Sequence, residues 1–333
     1  MAKEKSQDIE QVNTESVVNS DSSTDEVVVN KSKRKIKVST IVTTSIVVTT
    51  AIAAGLATGI IFGKLMSTGD VELPPIEEGV EMDYDALLER YAEDSDPEHY
   101  LPHELANISW NLFARKENTY SVGGGKAHAA IVDQFTYSYD IRRGDVCYSE
   151  SVSSNKGQPK IKQVAYKYYQ TTENVKTYTG SGADLGPVRA NWNPDSELVE
   201  THEQYENKWG RRLGRPCIFI ISPVTVVTET LTRNEAGDYI IDMDMDLKNS
   251  VHRYMRQMIS MSNLTSAPTF RKLHLTFTLD KDLNLKKLRS EEAYTVYVVG
   301  RNDTSGFFET KFYHDCTDDI PEIQSTYAHY EEL

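Results

Sequence analysis

The chain has 333 residues, 39% of them apolar, enough to bury a core in one large domain or two modest ones. With 50 Asp plus Glu against 36 Lys plus Arg the formal charge is −14, which argues against nucleic-acid binding through a basic surface. Three cysteines exclude a disulfide scaffold and any four-cysteine zinc site.

Residues 1–37 read as a disordered cytoplasmic tail, rich at first in Ser, Thr, Asn and acids. Residues 38–63 then run without a charge between Lys37 and Lys64. As a helix this stretch spans about 39 Å, against a hydrocarbon core of about 30 Å. It is expected to be a transmembrane helix. Lys31, Lys33, Arg34, Lys35 and Lys37 precede it, and Asp70, Glu72, Glu77 and Glu78 follow. Positive charge stays inside, so the N-terminus is expected in the cytoplasm and the rest outside. Ala51, Gly55, Gly59 and Gly63 recur at every fourth position, a small-residue stripe suited to self-association of the helix.

Residues 1–64 carry a net charge of +1 and the remainder −15. Asp70 to Glu98 holds twelve acids opposed only by Arg90. Residues 64–96 are therefore expected to form an acidic stalk with one short helix, capped by Asp83. Asp96-Pro97 predicts the start of a second helix, with Leu101, Leu105, Ile108 and Leu112 at core spacing.

Beyond the Gly123-Gly124-Gly125-Lys126 connector the period becomes two. Ile131, Phe135, Tyr137, Tyr139 and Ile141 share one strand face, and Arg143-Gly144-Asp145 turns the chain back. Further strands are expected over 161–170 and 174–179. A helix is expected over 196–212, and strands over 217–221, 225–233 and 238–247. A helix over 250–262 follows, with Val251, Met255 and Met258 on one side. Strands over 270–279, 285–291, 293–300 and 307–314 come last, before an acidic tail over 316–333. Alternating strands joined by short turns imply antiparallel pairing. The fold class is α+β, a curved antiparallel sheet packed by several helices over residues 97–315, preceded by the transmembrane helix.

Certain segments carry a resemblance. These are Gly144-Asp145-Val146-Cys147-Tyr148-Ser149-Glu150-Ser151, Tyr254…Met258…Pro268-Thr269-Phe270, and Phe277-Thr278-Leu279-Asp280…Glu292-Ala293-Tyr294-Thr295-Val296. With the order helices, meander, helix, meander they resemble the lipoprotein-carrier half-barrel, over roughly residues 97–314. Membrane-anchored extracytoplasmic proteins of Gram-positive bacteria look similar. The resemblance implies a half-barrel fold; the partner expected of the domain is an envelope protein or an apolar ligand. A cone-shaped domain like that of nuclear transport factors is the alternative fold.

Chemical motifs are sparse. Asp280, Asp282, Asn284 and Glu291 stand at positions 1, 3, 5 and 12 of a calcium-loop spacing. Leu285 occupies the position that requires Gly, and a hairpin turn accounts for the same residues. Asp242, Asp244 and Asp246 alternate with Met243 and Met245, placing carboxylates on a solvated face and methionines in the core. Asn107, Asn263 and Asn302 head glycosylation sequons. No cofactor motif is present. The reading is a single-pass, extracytoplasmic binding or interaction module of the cell envelope, without cofactor. A structural subunit of an envelope or secretion machine is one alternative. A hydrolase pairing Cys147 or Cys316 with a histidine is the other.

Overall fold

The computed structural model describes residues 71–129, 132–144, 146–156, 164–170, 174–181, 196–209, 217–261, 264, 266–297 and 301–316. The expected transmembrane span, with Ala51, Gly55, Gly59 and Gly63, lies outside the described residues, as do residues 1–37 and the tail beyond Cys316. Among the described residues no helix is long and apolar enough to cross a membrane.

Asp83 caps helix α1 (Tyr84–Glu93), its carboxylate accepting from the Asp85 and Ala86 amides at 3.1 and 3.0 Å. Asp96-Pro97 starts only one 3₁₀ turn, Pro97–His99. The longer helix α2 (Pro102–Arg115) begins at a second proline. A proline at this first position forfeits no intrahelical hydrogen bond. Glu104 folds back to accept from the Leu101 amide at 2.9 Å. Leu101, expected in the core stripe, is 55% exposed; Leu105, Ile108, Trp110 and Phe113 form the buried side.

Among the described residues eleven strands make one antiparallel sheet. The first meander runs β1 (Asn118–Ala129), β2 (Val132–Arg143), β3 (Val146–Lys156), β4 (Val164–Gln170), β5 (Asn174–Ser181), β6 (Ser196–Thr201). Helix α3 (His202–Trp209) follows. The second comprises β7 (Val226–Arg233), β8 (Tyr239–Met245), helix α4 (His252–Met261), β9 (Thr269–Leu279), β10 (Leu285–Tyr297) and β11 (Arg301–His314). The strand order is β6-β5-β4-β3-β2-β1-β11-β10-β9-β8-β7. The first meander thus walks outward, the second walks back, and the β1–β11 ladder joins them.

Several expected boundaries move. The helix expected over 196–212 is strand β6 followed by a shorter helix. Residues 217–221 form no strand, yet stay at most 3% exposed. Their backbone is paired otherwise: the Ile220 amide donates to the Ser250 carbonyl at 2.9 Å, and Asn107 Nδ2 donates to the Ile221 carbonyl at 2.9 Å. Asn107 is itself fully buried, so its sequon cannot carry a glycan in the folded protein. Residues 71–82, expected as free stalk, lie against the domain. His252 Nε2 donates to the Pro74 carbonyl at 2.6 Å, and Lys248–Glu77 and Arg253–Glu81 pair at 2.8 and 2.6 Å.

Gly123 to Lys126 is the middle of β1, not a connector. An added Cβ at Gly123 would lie 2.6 Å from the Phe308 ring. One at Gly125 would meet the Phe307 carbonyl, and one at Gly306 the Lys126 carbonyl. The absent side chains let β1 and β11 close into a crease, with Phe308 laid over the glycines. At the β2–β3 turn Gly144 has φ +54°, which suits glycine. Arg143-Gly144 therefore serves the turn, while Asp145 lies outside the described residues.

The helices cover one face of the second meander. Alternation puts Ile241, Met243, Leu275, Phe277, Leu288 and Phe308 there, packed with Ile108, Tyr254 and Met258. Phe219, Ile221 and Val296 are buried as expected. Ile131 and the side chains of Tyr137 and Tyr139 lie outside the description. Gly125→Ala and Gly306→Ala should each cost about 1–3 kcal/mol by overpacking the crease. Urea unfolding measures this; a loss below about 0.5 kcal/mol at both positions would overturn the role given to the glycines.

Candidate functional site

The register fixes which residues share the helix-covered face. Glu292 on β10 stands opposite Gly306 on β11, Gly306 opposite Ala127 on β1, and Ala127 opposite Gln134 on β2. One row further along come Tyr294, Thr304 and Ala129. On the other side come Ser290, Phe308, Gly125 and Thr136.

This inner wall changes character at the crease. Across β8 and β9 it is apolar, while β10 and β11 set Ser290, Glu292, Thr304 and Thr310 among apolar side chains. Across β1 and β2 it carries Thr119, Ser121, Gln134, Thr136 and Ser138, all buried. Phe135, expected in the core, is buried on the opposite face, where Lys126 Nζ lies 5.7 Å from its ring centroid. Tyr120 stacks on Tyr313 on that same face at 4.2 Å. On β1 and β2 the buried Tyr120, Val122 and Phe135 therefore point away from the helices, and a solvent-excluded polar lining occupies the other face.

Glu292 sits at the boundary, 2% exposed. Ser290 Oγ donates to its Oε1 at 3.0 Å, and the Tyr254 hydroxyl on α4 also favours the charged form. Its Oε2 is buried with no hydrogen-bond partner. Burial dominates and pushes its pKa from 4.5 up to about 7. Beside it, the Tyr294 phenol turns toward Thr304 without reaching ordinary hydrogen-bond geometry. Burial raises that phenol well above its usual range. Gln257, three residues along α4 from Tyr254, has a buried Oε1 with no partner. Aromatic rings frame the cluster: Tyr254, Phe270 and Tyr294 follow one another with centroids 5.6 and 5.2 Å apart. The arrangement can accept several hydrogen bonds, and one positive charge, inside an apolar frame.

The residues singled out from sequence lie elsewhere. Asp280 Oδ1 accepts from the Asp282 and Asn284 amides at 2.9 and 2.8 Å, which is a hairpin turn closing itself. Glu291 stands on β10, 2.8 Å from Lys272. The calcium spacing is therefore not assembled, and no group of three metal-ligating side chains occurs among the described residues. Met243 and Met245 are buried, while Asp244 pairs with His274 at 2.8 Å and Asp242 accepts from Thr276 at 2.7 Å. The Cys217 thiol donates to the Phe219 carbonyl and the Cys316 thiol to the His314 carbonyl, at 3.6 and 3.3 Å. The Cys147 side chain lies outside the description.

Sequence reading missed Glu292 because it broke β10 there, ending one strand at Glu291 and starting the next at Ala293. The signal was present. Leu288, Ser290, Glu292, Tyr294 and Val296 alternate without interruption, so the acid is in phase with the apolar face.

No protein-family model matches the chain, and no curated protein matches it. Among solved structures, a DUF1329 family protein from Desulfovibrio piger ATCC 29098 is 10% identical, covering 68% of this chain and 97% of that one, with a TM-score of 0.25. An N-terminal dehydratase from the difficidin assembly line is 8% identical, covering 69% and 86%, with a TM-score of 0.13. Likenesses at these values carry no conclusion about fold or function.

Glu292 makes stability depend on pH. Its folded pKa exceeds the unfolded value, so its contribution is full below about pH 4.5 and is lost as pH rises through about 7. Glu292→Gln abolishes this dependence. Relative to wild type the variant should gain about 3 kcal/mol between pH 4.5 and pH 8. Urea unfolding of both proteins at the two pH values measures it. Parallel profiles would mean that Glu292 ionises normally in the fold.

Proposed function

We propose that this chain is a single-pass, membrane-anchored binding module of the cell envelope. The sheet, curled like a half-barrel, holds an amphipathic ligand on its inner wall. One observation carries the reading: the helix-covered wall changes from apolar to polar at Glu292, where buried polar atoms lack partners. Buried polar atoms are normally paired within the fold, so a cluster of unpaired ones is a place for a ligand to supply the partners. The uncharged span, the basic residues before it and the net −15 beyond it support the anchor and its orientation. Self-association through Ala51, Gly55, Gly59 and Gly63 belongs to the same proposal.

Labelling of the full chain in lipid nanodiscs tests the binding reading. Long-chain alcohol, fatty-acid and primary-amine probes, each with a photoreactive diazirine in its tail, are crosslinked and mapped by mass spectrometry. At least one head group should label peptides of β1, β10 or α4, and Thr136→Trp should suppress it by filling the wall. Labelling at background with all three would end the proposal.

Topology is tested separately. Protease added outside intact cells should digest residues 71–316 and spare an N-terminal tag. A protected domain would overturn the orientation.

A further inference from the structure

We infer that the ligand of the inner wall carries a primary ammonium group, which docks on Glu292. The inference rests on the binding reading above and names the head group. Three buried side-chain atoms without a hydrogen-bond partner, Glu292 Oε2, Tyr294 Oη and Thr304 Oγ1, lie at neighbouring positions of β10 and β11. The Glu292 carboxylate, ionised when a cation binds, can only accept hydrogen bonds. The two hydroxyls can donate or accept. An ammonium has three donors and no acceptor, so it satisfies this set without leaving an unmatched lone pair of its own.

A carboxylate or phosphate head group would place like charge beside Glu292. A neutral alcohol would serve at most two of the three atoms. Charge points the same way. Among the described residues the groups acting on Glu292 are the Ser290 and Tyr254 hydroxyls, with no cation. A buried carboxylate without a cation is costly, and a bound ammonium supplies the missing charge. Tyr254, Phe270 and Tyr294 add aromatic faces, which attract ammonium groups and accommodate an alkyl chain. All three atoms are closed to solvent in this conformation, so the ligand gains access only with movement of α4 or the chain around it.

The same nanodisc experiment, read by head group, tests the inference. The amine probe should label β10 and α4 peptides roughly tenfold more strongly than the alcohol of equal chain length, the scale of one charge-assisted contact. The fatty acid should label least. Glu292→Gln keeps the shape and removes the charge, so it should bring amine labelling down to the alcohol level. Tyr294→Phe removes one acceptor and should lower amine labelling a few-fold while leaving alcohol labelling unchanged. Limited proteolysis of both variants checks that they remain folded. Equal labelling by amine and alcohol, or amine labelling untouched in both variants, would overturn the ammonium assignment while the binding reading stands. Background labelling by all probes would remove the binding reading itself.

Discussion

Two meanders are held together by the β1–β11 ladder, and it can close only because Gly123, Gly125 and Gly306 carry no side chain at its inner positions. Everything else follows from that crease. It brings β1 beside β11 although the strands are far apart in the chain. It seats Phe308 over the bare backbone, so the ring replaces the packing that the glycines cannot supply. It also places a polar wall and an apolar wall side by side on one face, with Glu292 at their border.

The two halves of the sheet use their faces in opposite senses. In the second meander the apolar face meets α2 and α4, the ordinary solution for a sheet with helices on one side. In the first, Phe135, Tyr120 and Val122 are buried on the far face, and hydroxyls and an amide face inward. Burying those inward groups forfeits hydration, which a fold tolerates when they are hydrogen-bonded or when the surface has a ligand to meet.

Local signals in the chain made much of this legible. The Asp83 cap, the helical spacing in α2 and α4, and the alternation in β8 and β9 each act over a few residues, and each appears in the fold near its expected position. What failed was non-local. Glycines in β1 look like a connector because their reason for being small is a strand some 180 residues away. The stripe through Phe135 has the period of a strand, but period says nothing about which face the helices will choose. Residues 217–221 have strand composition, and the buried Asn107 side chain and the Ser250 carbonyl take the hydrogen bonds a strand would have made. For the candidate site, Glu292 was visible as an acid in apolar phase, whereas Tyr254 and Thr304 join it only through helix packing and strand register.

The clasp of residues 74–81 on α4 has a mechanical side. His252, Lys248 and Arg253 hold that segment through one short backbone contact and two ion pairs, within six residues of each other on and just before the helix. A pull on the chain at Val71 is therefore delivered in shear to the helix that covers Glu292, before any ladder of the sheet bears load. Hydrogen bonds in a sheet of eleven strands share force, while three side-chain contacts on a ten-residue helix do not. The clasp of residues 74–81, and not the sheet, is what yields first to tension from the N-terminal side.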